Sequence, residues 1–137
     1  MANTTGKTRD VGYQVGLRHT FPVSLHTAWN FVLSPKGIQT WLGYHHEINW
    51  VRGNKFVTKY GTEICVRVFR ELSHVRVGYK KKAWEKFSTI QVRLIQAKTG
   101  TTISFHQEKL AGLEEREEMK RHWDKVLETI KSTLEKN

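Results

Sequence analysis

Seven histidines, one cysteine and a short run of lysines are the residues from which this 137-residue chain would have to build chemistry. The one local cluster of metal-ligand types is His45-His46-Glu47. Neighbouring residues of an extended segment point to opposite faces, so the two imidazoles do not converge on one ion, and no metal site is expected. Cys65 has no Cys-x-x-Cys partner and no histidine or acid beside it, so it is read as a packing residue rather than a nucleophile. His106 and His122 are read as hydrogen-bonded or exposed histidines rather than bases. The chain contains no P-loop, no Gly-rich dinucleotide fingerprint, no GxSxG and no HExxH. No catalytic set and no cofactor are therefore expected, although a cavity enzyme assembles its site from distant strands and stays open as a reading. Lys80-Lys81-Lys82, followed by Trp84 and Phe87, has the lysine and aromatic interleaving that grips phosphates and stacks bases. The same run serves equally as a solvated hairpin whose aromatics fold back onto the core. That second reading is preferred, and nucleic acid is not an expected partner.

The chemistry-bearing residues are few, so the elements that hold them carry more of the argument. The length suits one domain with a substantial core. Fifteen aromatic side chains (six Phe, four Tyr, five Trp) and a hydrophobic content of 38% exclude a disordered chain. No apolar run reaches the roughly 18 residues of a membrane span. The polar stretch 1–10 lacks the apolar core of a signal peptide and is expected to be a disordered tail, with one domain over 11–137. A single cysteine suits a reducing cytoplasm. The balance of 23 Lys+Arg against 13 Asp+Glu, a net charge of +10, favours anionic partners, among them an acidic protein, or simply sets solubility.

Along the chain the hydrophobic period changes from 2 to 3.6, back to 2, and finally to 3.6. Tyr13 to Val23 alternates as a strand that Pro22 terminates. Ser24 caps a helix whose apolar face is Leu25, Ala28, Trp29 and Val32. Ser34-Pro35 opens a second helix, with Ile38, Trp41 and Leu42 inward and Gly43 placed to end it in a left-handed conformation. Strand-like segments follow near 46–51, 55–60, 62–71, 75–80, 88–97 and 101–110. They are separated by the turns Gly53-Asn54, Tyr60-Gly61 and Lys98-Thr99-Gly100, so an antiparallel meander is predicted. In the strand Ile64 to Arg70, Ile64, Val66 and Val68 are assigned to one face. Met119, Trp123, Val126, Leu127, Ile130 and Leu134 then form one stripe of a helix predicted over 113–134. Trp29 and Trp123 are assigned to the core. Trp41, Trp50 and Trp84, near element ends, are assigned to rims.

This order of elements resembles the helix-grip fold of the START-like (SRPBCC) superfamily. Ala28-Trp29 followed by Gly37-Ile38-Gln39-Thr40-Trp41-Leu42-Gly43 resembles the opening of the family named after activators of the ninety-kilodalton heat-shock chaperone's ATPase. The stretches Trp84 to Val92 and Gly100 to His106, and the helix containing His122-Trp123, resemble its closing half. The likeness is to the small single-domain bacterial type. It implies an α+β domain, a curved antiparallel sheet around a long C-terminal helix, with an apolar cavity between them. Some superfamily members bind lipids or hormones, and others are cyclases or hydroxylase components. The expected role is binding a small apolar or aromatic ligand, with Trp41, Phe56, Val66, Val68, Tyr79, Phe105, Met119 and Trp123 as the cavity walls. Docking an acidic, chaperone-type partner through a basic face, and an enzyme using the same cavity, are the other readings.

Overall fold

The computed structural model describes residues 7, 8 and 12–135. Its elements are β1 (Lys7–Thr8), β2 (Gly12–Phe21), α1 (Leu25–Leu33), α2 (Pro35–Leu42), β3 (Lys55–Val57), β4 (Glu63–Arg70), β5 (His74–Lys80), β6 (Ser88–Ala97), β7 (Gly100–Leu110) and α3 (Leu113–Leu134). Every strand pairing is antiparallel, in the order β1-β2-β7-β6-β5-β4-β3. The chain leaves β2, crosses through α1 and α2 to the far edge, and meanders back until β7 closes against β2. This is the helix-grip fold. The tail expected over 1–10 falls outside the described residues except for Lys7–Thr8, which pairs with Gly12 and Tyr13.

Local chemistry explains the element ends. The Ser24 hydroxyl accepts from the Thr27 N–H at 3.1 Å and starts α1. Ser34 caps α2 by accepting from the Gly37 N–H at 3.0 Å, and its own hydroxyl donates to the last-turn carbonyl of Phe31 in α1 at 2.6 Å. One side chain thus closes one helix and opens the next. Gly43 ends α2 at φ 69°, where a Cβ would be unfavourable. The helix α3 starts at Gly112 without a side-chain cap, but Glu114 and Glu115 occupy its first turn and Lys131 its last, as the helix dipole favours.

The inner face of the sheet follows from register. Phe105, Val92, Val75 and Phe69 lie opposite one another across four strands, as do Gln107, Ile90, Val77 and Val66. On these rows lies the stripe of α3, where Met119, Trp123, Val126 and Ile130 are buried. The sheet departs from the expected alternation at one place. A β-bulge between Val66 and Val68 puts Val68 opposite the exposed Arg76, on the convex face, and brings Phe69 inward in its stead. The strand expected near 46–51 does not form. Residues 43–54 run as irregular chain before β3. Their aromatics pack inward instead, with Trp50 stacked on Phe69 at 5.5 Å and Tyr44 against Phe56 at 4.4 Å.

Candidate functional site

Beneath the first half of α3 the grip is closed by its own side chains. The Trp123 indole stacks on Phe105 at 4.9 Å and is 1% exposed. Its Nε1–H donates to Gln107 Oε1 at 2.9 Å, Gln107 Nε2 donates to Ser88 Oγ at 2.9 Å, and Ser88 Oγ–H donates to the Tyr79 carbonyl at 2.8 Å. This buried chain of bonds ties α3 to β7, β6 and β5 in turn. Met119 and Val66 are fully buried beside it, and Trp41 is held by a bond from Nε1 to the Val32 carbonyl at 3.0 Å. Of the eight expected walls, Trp41, Val66, Phe105, Met119 and Trp123 thus form packed core. Phe56, opposite the buried Ile64 on the edge strand β3, packs on Tyr44, and Val68 lies on the convex face.

The eighth, Tyr79, opens into space. It stands near the end of β5, 4% exposed, in the wall of a cleft of about 390 Å³. The cleft lies where the end of α2 (Leu42, Gly43), the β3–β4 turn (Thr58, Thr62), the end of β5 and His122 of α3 meet. It is therefore the mouth of the grip. Lys81 and Glu118 form an ion pair that ties the end of β5 to α3 at this mouth. Lys82 lies over Gly61 on the rim.

Two neutral groups face each other's chemistry in this cleft. Burial, helped by the nearby Glu118 carboxylate, pushes the Tyr79 phenol up to about 12, so it remains a donor. Its hydroxyl has no hydrogen-bond partner among the described residues. Burial pulls His122 down to about 4; its bond to the Trp41 carbonyl and the Glu118 charge oppose that shift, and Lys81 adds to it. A carbonyl only accepts, so the 3.1 Å contact from His122 Nε2 to Trp41 O requires the proton on Nε2. That leaves Nδ1 as an acceptor. His122 was not among the expected walls. Its sequence signal was a histidine one residue from the core Trp123, hence on the flank of the buried stripe. Gln107 was missed as well, although a glutamine two residues beyond Phe105 on an alternating strand marks a polar group on an apolar face.

A second concavity of about 500 Å³ lies between α1–α2 and the irregular segment, with Leu33, Ile38, Tyr44, Glu47, Ile48 and Trp50 in its wall. It is larger, but its charged and imidazole groups, His45, His46 and Glu47, are solvent-exposed rather than buried and aimed inward. Among the described residues no three His, Cys, Asp or Glu side chains converge as metal ligands, and no helix is long and apolar enough to cross a membrane.

The profile of the family described as Activator of Hsp90 ATPase homolog 1-like protein matches residues 22–135. The chain belongs to this family. No curated protein sequence matches it significantly. Among solved structures it is similar to DynU16, from the dynemicin biosynthetic locus, with a TM-score of 0.76, 15% identity and 90% of this chain covered. The chain spans about half of DynU16's length, 47%. It is also similar to CalU16 from Micromonospora echinospora (TM-score 0.75, 13% identity, 92% of this chain and 80% of that one). A third similar structure is an Hsp90 activator from Plasmodium falciparum (TM-score 0.71, 17% identity, 88% and 95% covered). At such identities these structures establish a shared fold.

Proposed function

We propose that this family member binds a small organic molecule with an aromatic or apolar body and an oxygen function in the cleft at the mouth of the grip. The observation that carries the reading is the Tyr79 hydroxyl, the polar end of a largely buried side chain that has no hydrogen-bond partner among the described residues and stands in the wall of an open cleft. No buried side-chain polar atom among the described residues lacks a partner, so the Tyr79 hydroxyl meets solvent in the cleft, and a ligand oxygen can replace the water bonded there. The Tyr79 ring and Leu42 offer apolar surface. The phenol donor fits a carbonyl or hydroxyl oxygen, and the His122 Nδ1 acceptor fits a hydroxyl hydrogen. Protonation favours binding over turnover. With the phenol near 12 and the imidazole near 4, neither group exchanges a proton readily at neutral pH. The similarity to proteins such as DynU16, from a biosynthetic locus, is consistent with a small-molecule ligand.

Amide NMR during titration with one- and two-ring aromatic ketones and phenols tests this. Shifts should cluster at Gly43, Thr62, Tyr79 and His122. Tyr79→Phe should leave the fold unchanged, within about 0.5 kcal/mol in urea, because its hydroxyl makes no protein bond. The same variant should weaken the best compound about tenfold, the loss of one hydrogen bond to a buried polar group. Shifts confined to the Tyr44–Trp50 segment, or affinity unchanged by Tyr79→Phe, would move the site elsewhere.

A further inference from the structure

The convex face of the sheet, away from the cleft, carries an ordered set of cations. Arg18, Ser104, Arg93, His74 and Arg70 are successive cross-strand partners over β2, β7, β6, β5 and β4. The next row is Gly16, His106, Gln91, Arg76 and Val68. These rows alternate with the buried ones that face α3, so they point to solvent. None of the ten positions is a carboxylate; Glu108 stands in the following row, opposite Thr89, and lines a shallow concavity with Arg67 and Arg76. Arg67, at the bulge, lies across Gly78, where a Cβ would come within 2.7 Å of its guanidinium, and donates to Thr89 Oγ1 at 3.1 Å. Arg76 donates to Gln91 Oε1 at 2.7 Å. The sheet thus holds both guanidinia in place. Five of the nine arginines, Arg18, Arg67, Arg70, Arg76 and Arg93, stand on this face, and among the described residues none has an ion-pair partner.

We propose that this face docks an extended acidic polypeptide segment lying across the strands, with its carboxylates on Arg18, Arg93 and Arg70. The spacing selects that occupant. Neighbouring strands lie about 4.8 Å apart, so arginines on every second strand recur about every 10 Å. A polyproline II segment has three residues per turn and rises about 9.3 Å per turn, so an acid at every third residue presents its carboxylates on one side at nearly that interval. Guanidinium groups bind carboxylates in a bidentate fork. A flexible chain also follows a convex surface, whereas a flat bilayer meets only its crown. Neither row contains a Phe, Tyr or Trp on which nucleic-acid bases would stack.

His74 reports occupancy from within the patch. Burial, followed by the charges of Arg93, Arg76 and Arg70, holds its imidazole below the ordinary value. Ser73 Oγ lies 2.8 Å from its Nδ1. Carboxylates placed over those arginines raise it. The test is NMR titration of the full chain with the peptide (Glu-Pro-Ala)4 at low and physiological salt. The His74 pKa should rise on binding, and affinity should fall with salt. Arg93→Glu should weaken binding about tenfold, whereas Lys125→Glu, on the exposed face of α3, should change it less than twofold. Circular dichroism would confirm that both variants fold. Equal losses from the two variants, no binding, or tighter binding of a twelve-nucleotide RNA or of anionic vesicles would overturn the proposal.

Discussion

Gln107 is the polar residue on which the grip turns. It accepts from Trp123 and donates to Ser88 while fully buried, so Gln107→Leu removes both bonds and orphans the Trp123 N–H, while Ser88 keeps its bond to the Tyr79 carbonyl. About 2–3 kcal/mol of stability should be lost in urea unfolding, mostly as desolvation no longer offset. Trp123→Ala should cost more, about 3–5 kcal/mol, because it deletes the stacked indole as well as the bond. A smaller loss for Trp123→Ala than for Gln107→Leu would show that the indole faces space. His122 sets a pH dependence. Its folded pKa lies near 4, below the unfolded value of 6.5, so the unfolded state binds more protons between them and stability falls as pH drops through that window. His74 is also depressed and acts in the same direction, so His122→Gln should flatten the fall in melting temperature from pH 7 to pH 4.5 only in part. An unchanged pH profile in that variant would mean that His122 charges freely in the fold.

The helices were more legible than the strands, for reasons of local chemistry. Ser24, Ser34-Pro35 and Gly43 mark helix ends by hydrogen bonding and backbone conformation, which a sequence displays directly. The apolar stripe from Met119 likewise marked α3 over 113–134. The bulge at Arg67 had no such marker. Ile64, Val66 and Val68 alternate without a glycine or proline, yet one extra residue in the ladder sends Val68 outward and Phe69 inward. The chain near 46–51 has strand-like residues, but Trp50 and Tyr44 are drawn inward by aromatic packing rather than by a pairing edge. The candidate site depended on tertiary closure. Only the packed Trp123 and Phe105 decide that the space under α3 is filled and that the open volume lies at Tyr79. At the α1–α2 junction the approach is closer than the residue pattern alone reveals. A Cβ on Gly37 would fall 1.9 Å from the Phe31 carbonyl oxygen, a backbone atom that cannot swing away. Gly37→Ala should therefore force the two helices apart at a cost of about 3 kcal/mol or more, lowering the urea midpoint; a midpoint within error of the parent would show that the helices slide freely.

At the scale of the whole molecule, charge is distributed by face. Among the described residues Glu63, Glu117, Glu118, Asp124 and Glu135, five of the thirteen acids, each stand beside a basic partner, while the convex face holds arginines without one. A net charge of +10 on a small fold is self-repulsive, and Arg70, Arg76 and Arg93 concentrate that repulsion around His74. Two salt effects oppose each other. Added salt screens the five ion pairs among the described residues, which are partly exposed and worth about 0–1 kcal/mol each, and it also screens the unpaired arginines. Repulsion should win, because the pairs are few and short-ranged whereas every unpaired cation on the sheet repels several others. The melting temperature should rise between 10 mM and 300 mM sodium chloride. Arg93→Gln should raise it at 10 mM and lose that advantage at 300 mM, since the substitution removes the charge at the centre of the row. A melting temperature that falls with salt, or an Arg93→Gln gain that persists at 300 mM, would mean that the arginines are stabilised within the fold rather than held ready for an anionic partner.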